Sequence, residues 1–224
     1  MSDPELYFPH PNLADEEGLL AIGGDLQPDR LLLAYRFGIF PWYNSDRPIL
    51  WWSPDPRCVL YPGNLRLSKS MRTLLKKISW TTTADVEFIQ VITQCQKIKR
   101  AHQSGTWITQ DMLDAYINLH HRGYAHSIEV WDGKRLIGGL YGLSLGKVFF
   151  GESMFSLRDN ASKYAFVKLV QHLEHQGFTL IDCQQDTPHL RSLGATTIPR
   201  SEFLEYLRKN LFEEDLSGSW SDWF

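Results

Sequence analysis

"KVFFGESMFSLRDNASKYAFVKLVQHLEHQGFTLIDCQ", Lys147 to Gln184, decides the fold. Its first ten residues read as a strand. The stretch from Asn160 to His175 then changes period: Ala165, Phe166, Leu169, Val170 and Leu173 form an apolar stripe at helical spacing, Asn160 suits the N-terminal cap, and Gly177 ends the helix. "FTLIDCQ", Phe178 to Gln184, reads as a buried strand. Strand, helix and strand joined by short loops predict a parallel β-α-β crossover. One residue disturbs this apolar reading. Glu152 stands inside the first strand, and burying an unpaired ionised carboxylate costs several kcal/mol or forces it to keep its proton. A period of two places Val148, Phe150, Glu152 and Met154 on one strand face, and Leu180, Asp182 and Gln184 on one face of the other. In parallel neighbours the two acids draw together at the carboxyl end of an open sheet, where ligands bind.

Upstream, "AHSIEVW" (Ala125 to Trp131), the turn Asp132 to Lys134, "RLIGGLYGLSL" and "GKVFFGESMF" predict an antiparallel three-strand meander. Helices are predicted over Ser68 to Ile78, over Asp85 to Lys99 with Asp85 as N-cap, and over Thr109 to Arg122 with Gly123 just beyond. The first sixty residues are rich in turn formers and aromatics around one amphipathic helix that starts at Pro28 and is capped by Gly38. "YPGN", Tyr61 to Asn64, is the best linker. The expectation is an α+β chain with a small N-terminal domain, 1–62, and a larger domain, 63–224. The Ser- and Trp-rich stretch from Leu216 to Phe224 carries no pattern.

Composition is that of an ordinary globular protein, 43% hydrophobic and 22% charged over 224 residues. There is no basic segment leading into an apolar one at the start and no run long enough to cross a membrane, so a cytoplasmic location is expected. Cys58, Cys95 and Cys183 are scattered, which argues against disulfides or a zinc site. The histidine pairs lack companions at ligand spacing, so no metal is expected. Net charge is -3, yet nine basic residues between Arg57 and Arg100 face only Asp85 and Glu87. Such a stretch is either a solvated helix face or a footprint for a phosphate backbone. Trp42, Trp51, Trp52 and Trp107 are core residues or platforms for a base, a stack being worth about 1 to 3 kcal/mol.

Ten stretches, in register from Gly18 to Ala195, carry a resemblance: "GLLAIGGDL", "LLLAYRFGIFPWY", "ILWWSPDPR", "GTWIT", "AYINLHHRGYAHSIEVW", "GGLYG", "FFGESMFS", "NASK", "LIDCQ" and "SLGA". Together they resemble the bacterial leucyl/phenylalanyl-tRNA-protein transferases. The resemblance implies transfer of Leu or Phe, with Met as a further donor, from charged tRNA to proteins that begin with Arg or Lys, marking them for degradation by the N-end rule pathway. It implies a second domain similar to the GCN5-related acetyltransferase fold. By the same resemblance Asp182 and Gln184 match the catalytic pair and Glu152 assists them. Trp42 and Trp107 surround the terminal adenosine, and Tyr116, Leu140, Phe149 and Leu169 form the donor pocket. Arg66, Lys69, Arg72, Lys76, Lys77, Lys97, Lys99 and Arg100 become the candidate contacts to the tRNA backbone. No cofactor is implied, and the chain is expected to work as a monomer. An acyl-CoA-dependent N-acetyltransferase is the rival, but "SLRDNAS" has no glycine with which to cradle a pyrophosphate. A non-catalytic tRNA-binding module is the third reading.

Overall fold

Two sheets organise the residues described by the computed structural model, which are 6–44, 47–98, 108–210 and 218–224. The smaller sheet takes β1 (Leu19–Ile22), β2 (Phe40–Pro41) and β3 (Leu50–Trp52) in the order β1-β3-β2, with α1 (Pro28–Arg36) between its first two strands. Pro28 opens α1 and Gly38, at φ +69, turns the chain out of it, as the sequence predicts. β4 (Arg57–Leu60) then leaves for the larger sheet, so the change of sheet falls between Trp52 and Arg57, ahead of the boundary expected near 62.

The chain continues through α2 (Lys69–Lys77), β5 (Thr81–Ala84), α3 (Phe88–Lys97), α4 (Gln110–His121), β6 (Ala125–Asp132), β7 (Arg135–Leu145), β8 (Val148–Ser156), α5 (Ala161–His175), β9 (Leu180–Gln184), α6 (Pro188–Ser192), β10 (Thr196–Ile198) and α7 (Arg200–Asn210). The seven strands run β10-β4-β9-β8-β7-β6-β5. β6, β7 and β8 form the predicted antiparallel meander, and β8 and β9 pair in parallel across α5. The fold is therefore α+β.

Each face of this sheet has its own core. On one, Leu31 and Tyr35 of α1, Val91 of α3, Met112 of α4 and Phe203 of α7 pack with Val148, Phe150 and Leu180. On the other, Ala165, Leu169 and Leu173 of α5 pack with Ile128, Leu140, Phe149 and Ile181. Trp51 and Phe40 belong to the first core, so the small sheet is fastened to the large one through shared apolar burial. No helix of the described residues is long and apolar enough to cross a membrane.

Two predicted caps are corrected. Asp85 does not cap α3, which begins at Phe88 behind Glu87; its carboxylate is taken instead by His126 Nδ1 at 2.8 Å and by the amides of Ser127 and Trp220 at 2.9 and 2.8 Å. Asn160 does not cap α5 either. It turns left-handed at φ +68 with its side chain unused for capping, and Ser156 Oγ accepts from the amide of Ser162 at 3.0 Å.

Candidate active site

β8 and β9 part company where the site begins. Their parallel pairing runs from Val148 with Leu180 to Phe150 with Asp182. Beyond that point each strand bulges. On β8, Gly151 pairs with Gly142 and Ser153 with Tyr141, which leaves Glu152 as the extra residue. On β9, Asp182 pairs with Val59 and Gln184 with Cys58, which leaves Cys183 extra and puts Gln184 at φ +59. The bulge on β8 also resets the alternation. Phe150 enters the first core whereas Met154 packs against the second, so strict period two, which would seat Glu152 with both, fails at Glu152 itself. A bulge next to a sheet opening re-aims a side chain, and here it turns a carboxylate to the opening.

That opening is a cavity of about 480 Å³. Leu140, Phe149, Phe166, Leu169 and Ile181 make its apolar wall, Trp42 stands on the side of the small sheet, and Glu152 and Gln184 meet at the polar end. Glu152 Oε1 accepts from Tyr35 Oη at 2.6 Å and from Gln184 Nε2 at 2.8 Å; Oε2 accepts from Tyr116 Oη at 3.1 Å. The two phenol oxygens also touch each other. Burial pushes the Glu152 carboxyl up to about 7, the three hydrogen bonds pull it back, and the charge of Asp182 adds to the rise. Burial and the charge of Glu152 hold both phenols well above their usual range, which keeps them as donors.

Asp182 is differently placed. It is fully buried, and Arg57, only 1% exposed, grips it with two parallel bonds, Nε to Oδ1 at 2.8 Å and Nη2 to Oδ2 at 2.6 Å. The amide of Gln184 also donates to Oδ1 at 2.9 Å. Arg57 Nη1 donates to the carbonyl of Gly38 at 3.2 Å, and Phe40 and Phe203 lie 4.8 and 4.7 Å from the guanidinium. Arg57 thus belongs to the interior and not to the basic surface with which its place in the sequence groups it. Arg57 is taken up by Asp182, and among the described residues that line the cavity there is no lysine or arginine beside Glu152.

The comparisons with known proteins agree along the chain. A profile described as leucyl/phenylalanyl-tRNA protein transferase matches residues 59–208, and one for the N-terminal domain of the same proteins matches 24–55. The chain belongs to this transferase family. A leucyl/phenylalanyl-tRNA--protein transferase of Shewanella piezotolerans is 57% identical over 98% of this chain and 94% of its own. That of Pseudomonas fluorescens is 57% identical over 89% and 88%, and that of Xanthomonas axonopodis pv. citri 52% over 98% and 89%. Among solved structures, a GCN5-related N-acetyltransferase from Kribbella flavida overlays with a TM-score of 0.38 at 13% identity, covering 74% of this chain and 59% of that one.

The remaining expected positions of this transferase-family chain fall into three groups. Leu140, Phe149 and Leu169 line the cavity, but Tyr116 stands behind Glu152 and is buried. Trp42 borders the cavity edge-on to Trp52 at 5.8 Å, while Trp51 is buried with its Nε1 donating to Gly23, so it is no platform. Lys69, Arg72, Lys76 and Lys77 are exposed on α2 and Arg66 is exposed just ahead of it. Lys97 ends α3, which packs on the opposite face of the sheet from α2, so one continuous basic stretch becomes two separate surfaces. Trp107, Lys99 and Arg100 lie outside the described residues. Among the described residues no three metal-ligating side chains come together. Sequence reading does not reveal the role of Tyr35, whose ring is one more apolar member of amphipathic α1, or the pairing of Arg57. A signal for the second was present: "PDPR" delivers an arginine straight into the apolar strand "CVL".

Proposed function

We propose that this chain moves leucine or phenylalanine from charged tRNA onto the N-terminal arginine or lysine of an acceptor protein, marking it for degradation. It would do so as a monomer in the cytoplasm, with residues 1–62 as a small unit that contributes Tyr35 and Trp42 to the site of the larger one. The observation that carries the reading is a buried carboxylate at the polar end of an apolar cavity, with no lysine or arginine beside it among the described residues. Such a cavity suits an apolar acyl group beside a cationic amine.

In this reading the donor side chain enters among Leu140, Phe149 and Leu169, with Trp42 and Trp107 beside the terminal adenosine. The acceptor's α-ammonium, with a reference pKa of about 7.7 to 8.0, loses its first proton to solvent and already leaves a useful neutral fraction of amine. The amine nitrogen attacks the ester carbonyl and gives a proton to ionised Glu152 as the C–N bond forms, and Glu152 passes that proton to the ribose oxygen as the C–O bond breaks. Gln184 holds the reacting carbonyl or amine. Asp182, with both oxygens engaged, is a positioning residue that fixes Gln184 through its amide. An apolar pocket separates donors that differ by one methylene by only about 1 to 3 kcal/mol, which suits a site that accepts both Leu and Phe.

The deciding assay supplies tRNA charged with labelled leucine and a peptide that begins with arginine. Labelled Leu-Arg peptide is expected. Binding of CoA with no need for tRNA, or salt-sensitive tRNA binding without product, would replace this reading with one of its two rivals. The exposed cations of α2 give a separate prediction. Among the described residues no carboxylate pairs with them, so they are free to displace counterions from tRNA. Replacing Arg72, Lys76 and Lys77 together by alanine should weaken tRNA binding and flatten its dependence on log salt by about three units, one for each phosphate left without its cation. An unchanged slope would take α2 out of the tRNA surface.

A further inference from the structure

Three features of the structure take no part in the proposed chemistry: the strained Asp85, the buried His126 and the aromatic segment Gly218–Phe224. They meet at one place. Trp220 is 2% exposed, and its ring stacks on His126 with centroids 3.7 Å apart and 1° between planes, and on Trp223 at 3.7 Å and 10°. Trp223 in turn stacks on His172 of α5 at 4.2 Å. Asp85 clasps the arrangement by accepting from the Trp220 amide and pairing with His126 Nδ1, both at 2.8 Å. It does so at φ +59, a conformation that non-glycine residues adopt at a cost and keep only where surrounding contacts enforce it.

This clasped layer lies against the cavity wall. His126 is paired across the sheet with Gly142. A Cβ at Gly142 would stand 2.6 Å from Cζ of Phe149, so the Phe149 ring tip rests on that glycine. Trp220 approaches the same ring, with centroids 5.9 Å apart. Phe149 is therefore confined between the backbone of β7 and the Trp220 layer, and it lines the cavity. Interiors are packed to crystal density, so removing one wall of such a confinement lets the ring relax into the space.

We infer that Gly218–Phe224 supports the floor of the donor pocket, and that Trp220 is a positioning residue which limits, through Phe149, the size of the donor side chain accepted. The inference rests on the donor-pocket reading given above. Its test uses the full-length chain with Trp220→Ala and Trp220→Phe. Trp220 Nε1 is buried with no hydrogen-bond partner among the described residues, so the phenylalanine variant sacrifices no bond and keeps a ring to stack on His126. Transfer is measured from tRNA charged with leucine, with phenylalanine and with a naphthylalanine. In Trp220→Ala the naphthylalanine-to-leucine ratio of kcat/KM should rise about tenfold, the scale on which an apolar pocket discriminates size. Trp220→Phe should shift it the same way by less, with the KM for the Arg-started peptide unchanged in both. A purely structural role would lower the melting temperature and leave the ratio within about twofold of the parent, and that result overturns the inference. If Trp220→Ala does not fold, the ratio in Trp220→Phe decides alone. Should the parent chain transfer none of the donors, the function itself falls and this inference with it; transfer at a fixed ratio removes only the inference.

Discussion

Glu152→Gln should lower kcat for transfer about 10²- to 10⁴-fold, the usual contribution of a positioned general base. The substitution preserves the shape of the group and can still meet Tyr35, Tyr116 and Gln184, so the loss would report the missing proton acceptor. The pH profile makes the assignment specific. With the carboxyl pushed up to about 7, the ionised form that accepts a proton is gained as pH rises through neutrality, and the parent rate should climb across that range. In Glu152→Gln this limb should vanish and leave only the limb of the acceptor amine, at about 7.7 to 8.0. Stability carries the opposite sign. Between 4.5 and about 7 the folded chain binds this proton more tightly than the unfolded one, so Glu152 makes the fold less stable as pH rises through that window, and the glutamine variant should lack this slope. A variant that keeps both the parent rate and the limb near 7 would move the base elsewhere.

The crossover was legible because two periods announce themselves. The stripe of α5 repeats at helical spacing, Gly177 closes it at φ +75, and the flanking apolar runs are too short to be anything but strands. The meander was legible for the same reason, with Gly133 in its first turn at φ +61. What escaped were the places where one residue breaks a period. A bulge adds a residue without changing composition, so nothing in "FFGESMF" marks Glu152 as the one outside the ladder. Asp85 and Asn160 have the chemistry of caps, and only the arrival of His126 and Trp220 shows why Asp85 is used otherwise. Charges in a sequence carry no partners. Arg57 was counted with Lys69 and Arg72 as surface, although the acid that neutralises it stands far along the chain. The ring of Tyr35 fits the apolar face of α1, and nothing local shows that its hydroxyl serves Glu152. Except at Asn160, where Ser156 nearby takes over the amide, the missing information is long-range pairing, which local periodicity does not contain.

Asp182→Ala should be the most destabilising of the site substitutions. It would strand the Arg57 guanidinium, 1% exposed between Phe40 and Phe203, without its counterion. Breaking a buried pair from one side costs about 3 to 5 kcal/mol, which in a chain of this length lowers the melting temperature by roughly 6 to 20 °C. Loss of transfer in that variant would therefore say little about catalysis. The informative partner is the double replacement Arg57→Met with Asp182→Leu, which removes both charges and fills the site with apolar volume. Such exchanges are often neutral or stabilising, so melting should return towards the parent value. Transfer should not return, because the amide of Gln184 loses the acceptor that helps to hold that residue at φ +59 with its side chain on Glu152. Thermal melting and the leucine-transfer assay on the single and double variants separate the two roles. Recovery of activity together with stability would reduce the pair to scaffolding, whereas stability regained without activity would leave Asp182 and Arg57 as the device that aims Gln184.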